Sequence, residues 1–350
     1  ADFIETTLQQ SQTINKALMG SLSYDITDDF ILSAEVRIAS DRLDSNTYDN
    51  LKILPEYQDV SNQFNSTTTR TIAEYYHGEQ LIYLSRSEGN SPGFFNDGLG
   101  LPAELVRVEE EALVMYELGY KSSFFDNDLY VAMSIFTMDW KNQQLTDSHI
   151  PENNSFPISY IANKAKTVIE GVELQLKWRV QDNLTVDVGF SYTDAQFVNA
   201  FDSNQCRIIS GLGTNECAQP LNLENFGSIN KQKLAQVPTR ELHVSFNYQQ
   251  YLNDTVLGVV RLAGNYDSSR YSHVHNLIET GDRTLVSLNI GAYIDDNLSI
   301  MFFGKNLTND KTPTYILRYI DAQSVAYSDR AFPVAPGRGR EYGITFTYQF

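Results

Sequence analysis

Basic residues are scarce in this chain, in which 26 Lys and Arg stand against 44 Asp and Glu, a formal net charge of −18. A nucleic-acid partner needs a basic footprint that neutralises phosphates, so this balance argues against DNA or RNA binding. An acidic surface favours either solubility through self-repulsion or contact with cations and cationic complexes, and charge alone leaves both interpretations open.

Long apolar runs are also absent. No stretch of about 18 apolar residues occurs, which excludes a transmembrane helix. The charged start, apolar core and small-residue cleavage site of a signal peptide are missing too, so we expect a removed leader or a piece of a longer protein. The sequence contains no GxSxG, HExxH or P-loop motif, and we predict neither enzymatic activity nor a cofactor.

Cysteine is nearly absent. Only Cys206 and Cys217 occur, within the segment QCRIISGLGTNEC, and no CxxC pattern or nearby His indicates a metal site. We predict a local disulfide that closes a surface loop in an oxidising compartment, with two unrelated free thiols as the alternative.

Strict two-residue alternation dominates the remaining pattern. In residues 184–192, apolar side chains at every second position alternate with Thr185, Asp187, Gly189 and Ser191. Such alternation predicts β-strands with one apolar and one polar face. Helical periodicity is almost absent, so the sequence predicts an all-β protein.

Many of these strands run for about ten residues or more, which exceeds the roughly five or six usual in globular sheets. About nine to eleven residues are needed to cross a bilayer at a tilt. Short connections rich in Asp, Asn and Gly alternate with long ones, as in a transmembrane antiparallel up-and-down β-barrel. We expect about thirteen strands, at residues 12–25, 30–42, 66–77, 80–89, 111–123, 129–145, 158–180, 184–198, 239–251, 255–270, 283–295, 298–306 and 340–350.

The odd strand count is unusual, because bacterial single-chain barrels contain even numbers of strands. The chain also begins in the middle of a strand pattern. We therefore expect that N-terminal strands are missing. The final strand, within GREYGITFTYQF, would expose a bare aromatic edge unless closure of the barrel covers it.

Several motifs, taken in order, resemble the C-terminal barrel half of TonB-dependent outer-membrane receptors. The segment EQLIYLSRSEGNSPGFFN (79–96) is similar to the family pattern YaSySrGfksGGFN, and NKAKTVIEGVELQLKW (163–178) resembles NagkaeirGvElel. The turn FGKNLTND and the aromatic C-terminus match as well. The resemblance implies a 22-stranded barrel with a plugged lumen. Residues 1–350 would be its C-terminal part, with the N-terminal plug domain and the first strands absent.

The resemblance also implies a function in the bacterial outer membrane. Family members take up scarce, bulky small-molecule ligands, driven by the TonB energy-coupling complex. Iron–siderophore complexes are the leading expectation, and cobalamin, haem and oligosaccharides are also transported in the family. Two alternatives stay open: a passive porin-like channel of about fourteen strands, and a soluble all-β binding module whose Val186, Val188 and Phe190 face a protein core.

Aromatic and charged side chains in the long connections are the candidate ligand contacts. Aromatic rings can stack on catecholates or sugars, and Arg can hold an anion by a bidentate contact. Two His in YSHVHN could contact haem iron or a metal, but no third ligand is in view, so no metal site is predicted. The aromatic residues could instead pad the loops or belong to the interfacial aromatic girdle, and the arginine could be a solvated loop charge. The candidates are Phe94, Phe95, Tyr271, His273, His275, Tyr315, Arg318 and Tyr319.

Two further groups are singled out. Lys177, Arg179 and Arg261 occupy the polar face of their strands, which in a plugged barrel meets the plug or water. The C-terminal aromatic row resembles the signal that the barrel assembly machinery reads, and outer-membrane lipid would surround it. This row consists of Tyr342, Ile344, Phe346, Tyr348 and Phe350.

Overall fold

Thirteen long strands form one antiparallel sheet in which every strand pairs with the next one in chain order. The computed structural model describes residues 7–49, 56–96, 101–149, 158–202, 227–295, 297–320 and 330–350. The strands are β1 (Thr7–Thr27), β2 (Phe30–Asp49), β3 (Glu56–His77), β4 (Gln80–Ser91), β5 (Glu111–Phe124), β6 (Leu129–His149), β7 (Ile158–Gln181), β8 (Leu184–Ala200), β9 (Arg240–Asn253), β10 (Val256–Asp267), β11 (Arg283–Ile294), β12 (Leu298–Lys305) and β13 (Glu341–Tyr348).

All thirteen predicted strands are present, which confirms the all-β, up-and-down arrangement. The main difference lies at the strand ends next to the long connections. The sequence predicts β3 over 66–77, whereas the strand begins at Glu56. Polar residues such as Asp59, Ser61 and Gln63 occupy the apolar-face positions there, so the alternation fades although the ladder continues. The backbone hydrogen bonds of β3 therefore continue beyond the residues whose apolar alternation predicts the strand.

The apolar face of the sheet is uncovered. Leu18, Leu84 and Phe346 on this face are 73%, 55% and 68% exposed, and comparable side chains continue across the sheet. A contiguous apolar surface of this extent marks an interaction surface, and here strands long enough to cross a bilayer carry it. The apolar face is the outer face that the sequence predicts for a transmembrane barrel, and the polar face is the interior face.

Only one helix occurs among the described residues, α1 (Ala103–Val106), and it is a single turn. The described segments include no helix that is long and apolar enough to cross a membrane.

Short turns and long connections lie at opposite ends of the sheet. Tight turns such as those between Thr27 and Phe30 and between His77 and Gln80 join alternate strand pairs. The long connections carry small two-stranded pairings of their own: Phe94–Phe95 with Arg107–Val108, Tyr315–Ile316 with Val334–Ala335, and Tyr319–Ile320 with Arg330–Ala331.

Candidate functional site

Asparagine side chains fasten the long connection between β4 and β5 to strand β7. The amide of Asn96 donates to the carbonyls of Leu105 (2.7 Å) and Ile161 (2.8 Å), and its oxygen accepts from the Ile161 N–H (2.8 Å). Asn163 does the same with Glu109, since its oxygen accepts from the Glu109 N–H and its amide donates to the Glu109 carbonyl, both at 2.8 Å. Each side-chain amide imitates one rung of a β-ladder and fixes the loop in place.

A third side-chain amide joins two other connections by the same pair of hydrogen bonds. Asn276, in the β10–β11 connection, donates to the Lys233 carbonyl (2.9 Å) and accepts from the Lys233 N–H (2.6 Å). Below it, Phe197 and Ile229 pack in a fully buried apolar cluster with Ala200. The connections on this side therefore form one packed assembly, in which backbone polar groups are paired and apolar side chains are buried.

A buried charged cluster lies within this assembly. Asp202, at the end of β8, is 3.1 Å from Nε2 of His275, and both side chains are less than a tenth exposed. Nδ1 of His275 is 3.5 Å from Nη1 of Arg318. Lys164 on β7 pairs with Asp147 on β6. The cluster places opposite charges side by side and links β6, β7 and β8 to two long connections.

The two histidines of YSHVHN have different surroundings. His275 belongs to the buried cluster, whereas Nδ1 of His273 lies 2.9 Å from Oγ of Ser272. Burial lowers the pKa of His273, and electrostatic interaction with the Arg318 guanidinium lowers it further. Among the described residues no group of three metal-ligating side chains occurs.

The predicted aromatic contacts occupy several connections. Phe94 and Phe95 are half-buried in the β4–β5 connection. A hydrogen bond to Glu279 raises the pKa of Tyr271, and burial raises it further. Tyr315 is 46% exposed. Tyr319 begins the short strand that pairs with Arg330–Ala331. Cys206 and Cys217 lie outside the described residues.

The interior face carries an acidic wall that the sequence-based selection missed. Glu117, Glu173, Glu241 and Asp267 line a cavity of about 570 Å³ on the polar face. Asp267 accepts two hydrogen bonds from the guanidinium of Arg283, the longer at 3.0 Å. Alternation had marked these carboxylates as polar-face residues. That the carboxylates lie side by side across neighbouring strands follows only from the strand register, which sets Glu173 and Glu241 on either side of Ser191.

The three predicted interior cations lie on the polar face at the short-turn end. Arg179 is already engaged, because its Nε donates to Oδ1 of Asp128 at 2.6 Å and thereby braces the turn between β5 and β6. Arg261 lines a smaller cavity near Asn247. Lys177 is paired in register with Asp187.

The C-terminal row lies on the apolar face, as predicted. Tyr342 stacks on Phe302 of β12 with ring centroids 6.1 Å apart, and Phe350 meets Tyr348 edge to face at 5.1 Å. Ile344 and Phe346 are 60% and 68% exposed. The row forms one face of an edge strand, since β13 pairs only with β12 among the described strands.

Comparisons with known proteins agree with this architecture. The family model described as "TonB dependent receptor-like, beta-barrel" matches residues 4–307. A probable TonB-dependent siderophore receptor, PiuA, from Acinetobacter baumannii is 26% identical over 131 residues, 36% of this chain and 16% of that protein. The ferrioxamine receptor of Yersinia enterocolitica is 24% identical over 170 residues, 46% of this chain and 21% of that protein.

Solved structures give the same picture of the fold. The ferric yersiniabactin uptake receptor FyuA from Yersinia pestis superimposes with a TM-score of 0.76 at 17% identity, covering 98% of this chain and 47% of that one. The ferric-catecholate import receptor Fiu from E. coli K12 gives 0.69 at 16% identity, covering 98% and 45%. This chain thus spans less than half the length of these relatives. It belongs to the TonB-dependent receptor β-barrel family, whose members lie in the outer membrane of Gram-negative bacteria.

Proposed function

We propose that this chain is the C-terminal part of a 22-stranded receptor barrel that imports a ferric siderophore by TonB-coupled active transport. The observation that supports this proposal most directly is the match of the family model to residues 4–307. The matched region forms most of a thirteen-stranded sheet with one apolar and one polar face, and its long connections lie at one end. The siderophore relatives named above support iron as the cargo. The plug domain and the contact with TonB would lie in the N-terminal part of the protein.

The assembly of long connections is the proposed ligand-binding surface. It presents exposed Tyr315 and half-buried Phe94 and Phe95, rings that suit stacking on a planar chelate. His275 and Arg318 have a different part in this proposal. Because His275 is buried against Asp202, we assign both to holding the connections together rather than to touching the ligand.

The remaining sequence-based assignments are retained as parts of the proposal. Lys177, Arg179 and Arg261 would face the plug, with Arg179 also holding the turn at Asp128. The outward row of β13 would be read by the barrel assembly machinery and then contact lipid. A bond between Cys206 and Cys217 predicts that neither thiol is alkylated in unreduced protein from intact cells.

An uptake measurement tests the function. Cells that lack the receptor gene would be complemented with the full-length gene and offered ⁵⁵Fe bound to ferrioxamine B, to a catecholate siderophore or to citrate. We expect accumulation of at least one complex, abolished by a protonophore. Uptake that persists without a proton gradient would contradict active transport, and no uptake of any ferric complex would contradict iron as the cargo.

A further inference from the structure

Large side chains on the interior face lie on glycines of the neighbouring strand. A Cβ atom built on any of these glycines would overlap ring carbons of the side chain opposite it. In each case the ring and the glycine are directly paired in the strand register. The pairs are Tyr83 with Gly119, Phe136 with Gly171, and Phe303 with Gly343.

The same relation extends beyond aromatic rings. Met301 on β12 is paired in register with Gly291 on β11, and a Cβ atom at Gly291 would lie 2.5 Å from its sulfur and 2.1 Å from the carbonyl oxygen of Ile300. Ring-on-glycine packing is a recognised way of pinning the register of β-strands. Here it also has a geometric effect, because a side chain that lies along the wall does not project into the interior.

Lysines cover two of these rings. Nζ of Lys121 lies 5.1 Å from the ring centroid of Tyr83, and Nζ of Lys305 lies 5.0 Å from that of Phe303. The hydroxyl of Tyr83 also bonds to Glu117. Each ring thus lies against the glycine of the neighbouring strand and within about 5 Å of an ammonium group. An uncovered ring would present a stacking surface to any aromatic or planar chelate in the interior, whereas these stacks present charged groups.

We propose that Gly119 and Gly343 are clearance positions, which let Tyr83 and Phe303 lie flat beneath a lysine so that a plug and a bulky ligand move past an unobstructed, non-adhesive wall. This inference rests on the proposed transport function. It adds a positioning role for glycines, which no ligand touches.

Gly119 is the position at which to test the idea, because the three atoms nearest to an added Cβ all belong to the Tyr83 side chain. Gly171 is less suitable, since its added Cβ would also meet the Tyr192 carbonyl at 2.7 Å. Gly189 provides a matched control. It lies on the same face of β8, and the nearest atom to its added Cβ is 3.9 Å away.

The experiment compares G119A, the double variant Y83A/G119A, and G189A in the full-length receptor. Folded receptor in the outer membrane is quantified by heat-modifiable mobility, and ⁵⁵Fe–ferrioxamine B uptake is expressed per folded molecule. We expect G119A to lower uptake about tenfold, as an overpacked wall must yield at each passage. Removing the ring in Y83A/G119A should restore uptake to within about twofold of wild type, and G189A should match wild type.

Equal uptake by G119A and G189A would overturn the proposal. So would a double variant that folds poorly and recovers nothing, because the ring would then serve only the register. A structure of full-length G119A gives a second test, which does not depend on which ligand is transported. Tyr83 standing away from the wall supports the inference even if wild type carries no ferrioxamine, which would count only against that cargo. A ring that stays flat while β5 shifts would refute it.

Discussion

Replacing Asn96 by Ala should release the β4–β5 connection from strand β7. The substitution deletes three hydrogen bonds, two donated to the carbonyls of Leu105 and Ile161 and one accepted from the Ile161 N–H. At a net value of about 1 kcal/mol each, the loss is about 3 kcal/mol. Since 1.4 kcal/mol is a factor of ten, the opening equilibrium of the loop should rise about 100-fold.

Hydrogen exchange of the full-length receptor measures this opening directly. The Ile161 amide loses its acceptor, so its protection should fall with that of residues 101–108. Asn96→Asp keeps an acceptor for the Ile161 N–H but has no amide to donate. The protection of Ile161 and of residues 101–108 in this variant should lie between that in N96A and that in wild type. Asn90→Ala is the control, because Asn90 lies near the end of β4, just before this connection, and the structure shows no hydrogen bond of its side chain. If the amides of N96A exchange as slowly as those of N90A, the hydrogen bonds of the Asn96 side chain do not hold the connection.

Three further predictions concern lipid, pH and a turn. Leu118→Arg places a charge on the apolar face and should cost about 2–4 kcal/mol of unfolding free energy in lipid vesicles, whereas Gln175→Arg on the polar face should change it little; equal effects would contradict the assignment of the faces. Burial and the neighbouring Arg318 guanidinium depress the pKa of His273, so the unfolded loop binds the proton more readily and local stability should fall as pH drops below about 6.5. Protection factors of residues 271–279, corrected for intrinsic exchange, should show this loss in wild type and not in His273→Gln. Arg179→Gln breaks a largely exposed pair with Asp128 and should lower the free energy of unfolding by only about 0–1 kcal/mol. A larger loss, measured by thermal unfolding, would show that the turn depends on this pair.

The strands could be predicted from the sequence because their signal is local. Alternation along β8, from Leu184 to Tyr192, follows directly from a pleated backbone with one apolar and one polar face. The signal weakens only at the strand ends next to the long connections, where polar residues such as Asp59 and Ser61 occupy apolar-face positions. The C-terminal row was predicted on the same grounds, and its residues lie on the apolar face.

The arrangement of the connections could not be predicted, because it depends on contacts between residues far apart in the chain. Asn96 and Ile161 are separated by 65 positions, and His275 and Arg318 by 43. The sequence suggests His275 as a ligand contact because it lies on the same side of an extended chain as His273. Its burial against Asp202 arises from packing that no local pattern encodes. The glycine pairs are similar, since Gly119 meets Tyr83 only once the register of β4 and β5 is known.

Strand length differs greatly around the sheet, from 24 residues in β7 to 8 in β12 and β13. At about 3.3 Å per residue, β7 is roughly 80 Å long and β12 only about 26 Å. One added residue within β7 would turn every side chain beyond it to the opposite face. Between β12 and β13, by contrast, residues can be gained or lost without disturbing a single ladder pair of the thirteen-stranded sheet. If the long connections bind the ligand, as proposed, that stretch can change by insertion or deletion while the wall of the barrel stays unchanged.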